Sequence, residues 1–289
     1  MAYPLEHHFV PTNGLTLHVA QCGPVAGPLV VLLHGFPEFW YAWRHQIGAL
    51  ADAGYRVWAP DQRGYNRSDK PRPVRAYAVD ELAADVLGLL DAAGHDTADV
   101  VGHDWGAAVA WHLAANFPAR IRRAAVLNVP HPRVLAGALR RQPRQLLKSW
   151  YVFFFQLPWV PEALARLRGY WAARRALRRT SRPGTFSAAD LVKYQDAWAQ
   201  PGALRSMINW YRVAARFGRR LAPAGRVAVP LHIIWGRDDA FLRANLAQAS
   251  LAYCDDGRLT YLQASHWVQH EKAAQVNQLL IDFLRETPA

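Results

Sequence analysis

Three side chains of the sequence have the types and the chain order needed for nucleophilic catalysis. Asp104 lies in Gly102-His103-Asp104-Trp105-Gly106, between an apolar run and a helical pattern, an arrangement typical of a nucleophile elbow. Asp239 and His266 follow, each in a loop after a later apolar run. This order predicts that His266 activates a water molecule while Asp239 orients its imidazole. Asp238 is the alternative acid.

An aspartate at the centre of the elbow changes the chemistry that the site can perform. A carboxylate, with a reference pKa of about 3.9, is ionised at pH 7, but its attack on an acyl group would give an anhydride. It is better suited to open an electrophilic sp3 carbon and form an alkyl-enzyme ester. The substrate is therefore expected to carry a leaving group on carbon, either a strained epoxide oxygen or a halide. The chain contains no G-x-S-x-G sequence that would offer a serine instead.

Hydrolysis of such an ester passes through an oxyanion, which needs two hydrogen-bond donors. The backbone N–H groups of Phe36 and Trp105 are the candidates, since each follows the end of a predicted strand. Pro37 would fix the turn after Phe36. We therefore predict that the segment His34-Gly35-Phe36-Pro37 and Trp105 surround the substrate next to the nucleophile.

The elements that must position these residues alternate along the chain. A hairpin is predicted around Asn13-Gly14, further strands at 29–33, 56–60, 98–101, 124–128, 229–235 and 258–262, and helices at 40–53, 79–93, 107–117 and 273–285. This alternation predicts an α/β fold with a mostly parallel, twisted sheet flanked by helices.

The alternation is interrupted at residue 133. Residues 133–222 have only helical patterns, which predicts an all-helical cap inserted between residues 1–132 and 223–289, the two parts of one core. The most apolar window, 150–160, is too short to span a membrane and is expected to be buried. Leu164, Leu167 and Trp171 recur at helical spacing. They predict an amphipathic helix whose solvated face carries the neighbouring arginines.

Composition excludes several classes of protein. The chain has 289 residues, of which 52% are hydrophobic, and a formal net charge of +12. Cys22 and Cys254 give neither a disulfide framework nor metal spacing, and residues 1–10 lack the apolar region of a signal peptide, so a cytoplasmic protein is expected. We predict no nucleic-acid partner and no stable membrane insertion. An anionic partner for the basic cap face stays an open alternative.

On these motifs the chain closely resembles the epoxide hydrolases of the α/β-hydrolase superfamily, over nearly its whole length. The resemblance rests on His34-Gly35-Phe36-Pro37, on the elbow with Asp104 followed by Trp105, and on Ser265-His266-Trp267. This family places its acid at the position of Asp239 rather than Asp238.

Two cap residues extend the resemblance. Tyr151, within Trp150-Tyr151-Val152-Phe153-Phe154, and Tyr211, within Ile208-Asn209-Trp210-Tyr211-Arg212, match the family's two tyrosines that donate hydrogen bonds to the epoxide oxygen. The resemblance implies conversion of small epoxides, apolar or aromatic, to vicinal diols through an ester on Asp104. No metal or organic cofactor is required. The oligomeric state is left open, with a homodimer among the alternatives.

Other activities that occur on the same fold match the sequence less well. Haloalkane dehalogenases share the aspartate and the following tryptophan, but they usually have Asn at the position of Phe36. Fluoroacetate dehalogenases usually have Arg at the position of Trp105. A non-catalytic ligand-binding protein is the alternative of another class, although such a protein would have no use for Asp104, His266 and both tyrosines together.

Overall fold

One twisted sheet of eight strands organises the computed structural model, which describes residues 2–217 and 225–286. Its spatial order is β1-β2-β4-β3-β5-β6-β7-β8, with β2 antiparallel to both neighbours and the remaining pairs parallel. The predicted mostly parallel sheet is confirmed. The strands are β1 (Glu6–Thr12), β2 (Leu15–Cys22), β3 (Leu29–Leu33), β4 (Arg56–Pro60), β5 (Ala98–His103), β6 (Ile121–Leu127), β7 (Leu231–Gly236) and β8 (Gly257–Leu262).

Helices cover both faces of the sheet. Leu29, Val31 and Leu33 of β3 pack in one apolar cluster, and Val30 and Leu32 pack in the other. Successive side chains of a strand point to opposite faces, so a continuous apolar run is the pattern of a strand buried on both sides. The covering helices are α2 (Val79–Ala92) and α3 (Trp105–Asn116) on the first face, and α1 (Ile47–Asp52) and α12 (Ala273–Arg285) on the second.

Most predicted elements of the core are present, with one difference in the first helix. The helix predicted at 40–53 is a 3₁₀ turn, Trp40–Trp43, followed by the short α1. The N–H groups of Ala42, Arg44 and Gln46 each donate to the carbonyl three residues earlier instead of four. A 3₁₀ turn therefore takes the place of the first helical turns.

Between β6 and β7 the chain forms only helices in the described residues up to 217. They are α4 (Pro132–Arg141), α5 (Pro143–Lys148), α6 (Trp150–Phe154), α7 (Val160–Thr180), α8 (Ala188–Ala199) and α9 (Ala203–Phe217). We call residues 132–217 the helical insertion. The predicted end of the cap at residue 222 lies outside the described residues. After β7 follow α10 (Asn245–Ser250) and α11 (Val268–Glu271).

In the apolar window at 150–160 six of the eleven residues are exposed and none is fully buried, so the prediction that the window is buried was wrong. The exposed fractions are 64% for Trp150, 61% for Phe153 and 82% for Trp159. This window lies at the outer surface of the helical insertion, over a cavity rather than against the sheet. No helix among the described residues is long and apolar enough to cross a membrane.

The amphipathic helix predicted from Leu164, Leu167 and Trp171 is also wrong in its packing. Helix α7 is interrupted at residues 167–170, where Arg168, Gly169 and Tyr170 all have positive φ. The three apolar side chains are between 45% and 58% exposed. Because the helical conformation is interrupted there, the helical segments before and after residues 167–170 do not share one axis, and no continuous apolar face forms across them.

Candidate active site

The predicted triad residues meet at the carboxyl edge of the sheet. Asp104 follows β5, Asp239 lies in the loop after β7 and His266 in the loop after β8. The distance from His266 Nδ1 to Asp239 Oδ2 is 2.7 Å, and that from His266 Nε2 to Asp104 Oδ2 is 3.6 Å. Parallel strands end at one edge of a sheet, which is why residues distant in sequence come together here.

The turn that carries Asp104 is tight. Asp104 has φ 50° and ψ −121°, a strained conformation for a non-glycine residue. A β-carbon on Gly102 would overlap the carbonyl of Gly106, and one on Gly106 would overlap the carbonyl of Leu33. Both glycines are therefore needed for the turn, which presents the carboxylate above the end of β5.

The structure places Asp239, and not Asp238, against the histidine. Asp239 is buried, and its Oδ1 accepts hydrogen bonds from the N–H groups of Phe241 (2.6 Å) and Leu242 (2.9 Å). The side chain of Asp238 instead forms an ion pair with Arg182 (2.9 Å) at the surface. Only one of the two carboxylates is positioned to orient the imidazole.

Asn128 positions the acid and was not predicted. Its Nδ2 donates to Asp239 Oδ2 (2.7 Å), and its Oδ1 accepts from the N–H of Gly236 (2.9 Å). Asn128 follows β6 directly and has a φ of 54°, a conformation that asparagine tolerates better than most residues. A polar residue at the end of an apolar strand is the available signal, but it does not reveal its partner.

A second group of buried polar residues lies beneath the histidine loop. His103 Nε2 is 2.9 Å from the carbonyl of His266, and Glu38 is bonded to His270 (2.7 Å) and Tyr194 (2.7 Å). Burial opposes ionisation of Glu38, but His270 and His103 hold the pKa of this carboxyl well below its usual range. The group fixes the backbone that carries His266.

The predicted substrate-binding segment divides into two parts. Phe36 and Pro37 line the cavity above Asp104, and the N–H of Phe36 donates to Asp104 Oδ1 at 2.7 Å. His34 is fully buried behind this loop, where its Nε2 accepts from the N–H of Gln62 (3.0 Å). Gly35 packs directly against the Asp104 side chain. The second donor, the N–H of Trp105, stays a prediction.

Tyr151 and Tyr211 lie together over the nucleophile. Their ring centroids are 5.8 Å apart, and Tyr211 also packs edge-on against Trp105 (5.0 Å) and Phe36 (5.1 Å). Burial, together with the charge of Asp104, raises the pKa of both phenols above the usual value of 10. Both hydroxyl groups are therefore protonated at neutral pH and available as donors.

One cavity is lined by the nucleophile, the histidine and both tyrosines. Its volume is about 990 Å³, and Asp104, His266, Tyr151 and Tyr211 lie in its wall. The remaining lining is largely apolar and comes from both the sheet edge and the helical insertion, including Phe155, Leu177, Trp198, Leu204, Met207, Ile208 and Phe241. An enclosure of this size and lining suits an apolar small molecule.

The electrostatics of the triad favour an ion pair in the free site. Burial disfavours the imidazolium, yet the carboxylates of Asp239 and Asp104 raise the pKa of His266 to about 10. Burial likewise opposes ionisation of Asp104, but the nearby positive charge of His266 lowers the pKa of this carboxyl below the ordinary value. His266 therefore holds a proton at pH 7, between two carboxylates.

Replacing Asp104 by Asn is expected to lower the pKa of His266 by about one unit or more, because one of its two neighbouring charges is removed. The imidazole nitrogen shifts in a long-range ¹H–¹⁵N NMR titration measure this value. His131, whose pKa burial lowers to about 4, serves as the internal control and should not change. An unaltered His266 titration would show that Asp104 does not hold its proton.

Comparisons with known proteins agree with this site. The α/β hydrolase fold family model matches residues 28–273. AB hydrolase superfamily protein YfhM of Bacillus subtilis is 49% identical over 96% of this chain and 97% of its own length. Epoxide hydrolase 4 of Homo sapiens is 37% identical over 96% of this chain and 78% of its own length.

A solved structure extends the likeness to three dimensions. The crystal structure of the Bacillus megaterium epoxide hydrolase with an inhibitor superposes with a TM-score of 0.88 at 29% identity, covering 96% of this chain and 100% of the other. The chain thus belongs to the α/β-hydrolase fold family. Its site and its relatives place it among the epoxide hydrolases of that family.

Proposed function

We propose that this protein hydrolyses epoxides to vicinal diols through a covalent ester on Asp104. The observation that carries the proposal is one cavity in which a carboxylate at a nucleophile elbow faces two protonated tyrosines, with His266 Nε2 3.6 Å from that carboxylate. Residues 133–222 act as the cap that supplies both tyrosines. The largely apolar lining supports apolar or aromatic epoxides as the preferred substrates.

In the first step, an oxygen of Asp104 attacks one epoxide carbon and the C–O bond at that carbon breaks. Tyr151 and Tyr211 donate hydrogen bonds to the leaving oxygen, which develops negative charge. A bare alkoxide is a poor leaving group, so two donors in a site shielded from water lower the barrier. One of the two tyrosine hydroxyls gives its proton to the alkoxide and is reprotonated from solvent, so the product is a hydroxyalkyl ester with a new hydroxyl group.

In the second step, water attacks the carbonyl carbon of the ester while His266 takes its proton. The ester has removed the charge of Asp104, one of the two carboxylates that raise the pKa of His266. Its pKa is therefore lower in the ester state, so the imidazolium gives up its proton to solvent more readily than in the free site and the neutral imidazole is available as the base. Collapse of the tetrahedral intermediate restores the Asp104 carboxylate and releases the diol, and the proton freed by the hydrolysis stays on His266. Solvent gave one proton to the tyrosine and received one from His266, so the cycle closes with both groups in their starting states.

The N–H of Phe36 supports this second step from the other side. It already donates to Asp104 Oδ1 in the free site, and the same oxygen becomes the oxyanion when water attacks the ester. A donor that is in place before the charge develops needs no reorganisation. Trp105 is the proposed second donor.

The test is single-turnover mass spectrometry on the His266→Gln variant with styrene oxide. Without a base for water, the ester is expected to accumulate, with a mass increase equal to the whole epoxide on the peptide that contains Asp104. The wild-type protein under the same conditions should show diol and little adduct.

The control exchanges the electrophile. The same variant incubated with a haloalkane should stay unmodified, because the two tyrosines favour an oxygen leaving group. An alkyl adduct with halide release, and none with the epoxide, would assign the site to a dehalogenase. The absence of an adduct with either compound would favour a binding protein.

A further inference from the structure

The net positive charge of this protein comes from the helical insertion. Residues 132–217 contain 16 Lys and Arg but only three acidic residues, which gives a formal net charge of +13. The whole chain has +12, so all the other residues together have −1. The chemistry at Asp104 does not require this asymmetry.

Many of these cations have no acidic partner. Among the described residues, Arg166, Arg168 and Arg178 are exposed and have no salt bridge. Two of the three acids of the insertion are engaged elsewhere: Glu162 is paired with the buried Arg212 (2.7 Å), and Asp190 accepts a hydrogen bond from Tyr41 (2.9 Å). The surface around α7 is therefore strongly positive.

Large apolar side chains are exposed on the same part of the molecule. Of the described large hydrophobic residues that are exposed, all but Phe9, Val25 and Val192 lie between residues 146 and 171. They are Leu146, Leu147, Trp150, Phe153, Leu157, Trp159, Val160, Leu164, Leu167 and Trp171, which we call the apolar rim. A concentration of exposed apolar residues on one face marks an interaction site.

Part of the apolar rim also forms the wall of the catalytic cavity. Leu147, Trp150, Leu164 and Trp171 are each exposed and also line that cavity. The guanidinium of Arg175 lies 5.2 Å above the ring of Trp171, so a cation stands directly beside the apolar opening. A partner bound to this face would therefore contact side chains that also line the cavity.

We infer that the apolar rim and its arginines dock the protein on the surface of an anionic lipid bilayer. Trp, Phe and Leu beside Arg are the side chains that enter the boundary between headgroups and acyl chains, while the cations meet anionic lipid. When the protein is docked in this way, the side of the cavity formed by the apolar rim faces the lipid, and apolar molecules concentrate in lipid. The inference concerns binding, and it holds or fails independently of the reaction at Asp104.

A second copy of the chain fits this face less well. In a two-fold dimer the same patch meets itself, which would bring the unpaired Arg166, Arg168 and Arg178 of both copies together. Burying like charges without partners is costly. An anionic bilayer offers the opposite charge and an apolar layer at the same depth.

Vesicle co-sedimentation tests the inference. The wild-type protein is expected to bind phosphatidylcholine vesicles that contain phosphatidylglycerol, and to bind pure phosphatidylcholine vesicles at least about 100-fold more weakly, since several basic residues contribute. The charge variant Arg166→Gln/Arg168→Gln/Arg178→Gln should lose about 100-fold in partition coefficient. The apolar variant Phe153→Ser/Trp159→Ser should lose about tenfold or more.

Matched variants on the core provide the controls. Arg67→Gln/Arg72→Gln/Arg75→Gln removes the same charge, and Phe9→Ser/Val25→Ser removes exposed apolar surface of the core; neither should weaken binding appreciably. Full binding by either cap variant would overturn the inference, as would equal binding to both kinds of vesicle. A wild-type dimer in light scattering that the apolar variant converts to a monomer would overturn it as well, because a second copy would then cover this face.

Discussion

Replacing both Tyr151 and Tyr211 by Phe is expected to lower kcat/KM for styrene oxide by about 10⁴-fold or more. One donor to a developing oxyanion is worth roughly 10²–10³ in rate, and both tyrosines line the same cavity as Asp104. Phenylalanine keeps the ring packing on Phe36 and Trp105, so the loss should fall on kcat rather than on substrate binding. Each single replacement should cost about 10²-fold, since the other tyrosine remains.

The step that slows identifies the role of the tyrosines. In single-turnover experiments on the double variant, formation of the ester should slow, whereas its hydrolysis by His266 should change much less. Tyr253→Phe is the matched control, because this ring stacks on His131 at 4.2 Å, away from Asp104. A double variant that keeps more than about a tenth of the activity would remove the tyrosines from the mechanism.

The convergence of the catalytic residues could be predicted because the carboxyl ends of parallel strands lie at the same edge of a sheet. Continuous apolar runs such as Leu29–Leu33 can only be buried on both faces, and strands of this kind, alternating with helices, end at one edge. Asp104, Asp239 and His266 follow three such strands, so their proximity needs no knowledge of side-chain packing. The structure adds the distances, 2.7 Å and 3.6 Å on the two sides of the imidazole.

The contacts that hold the triad in place could not be predicted in the same way. Asn128 bonds to Asp239, which lies 111 positions later in the chain, and His103 reaches the carbonyl of His266, 163 positions later. A polar residue at the end of a strand is compatible with a turn, a cap or a tertiary contact. Only the register of β6 beside β7 decides between them.

The exposure of the apolar rim could not be predicted from the sequence, for a different reason. Hydropathy gives the free energy of exposing Trp150 or Trp159 to water, but it does not tell which other element, if any, packs against them. In the core, strands and helices cover one another, so apolar patterns correctly predict burial. In the helical insertion, α7 is interrupted at residues 167–170, where Gly169 was the only local signal, and the segment lies over a cavity.

Replacing Asp104 by Asn is expected to abolish epoxide turnover, with a fall in kcat of about 10⁵-fold or more. An amide oxygen has no charge with which to attack carbon, and removal of a covalent nucleophile is among the largest single effects in enzymes. Asparagine has the same shape as aspartate and tolerates positive φ, so the strained turn at residue 104 and the free energy of unfolding should change little. The measurement is initial rate of diol formation, with thermal unfolding of both proteins as the check on folding.

The double variant Asp104→Asn/His266→Gln separates this result from an indirect effect on the histidine. If Asp104 is the nucleophile, the adduct that His266→Gln alone accumulates must be missing from the double variant, because no ester can form. Mass spectrometry of the peptide that contains residue 104 also shows whether the amide has stayed intact. An adduct that persists on another residue would show that the nucleophile lies elsewhere in the cavity. Asp104 would then act only through its charge on His266, whose Nε2 lies 3.6 Å from Asp104 Oδ2.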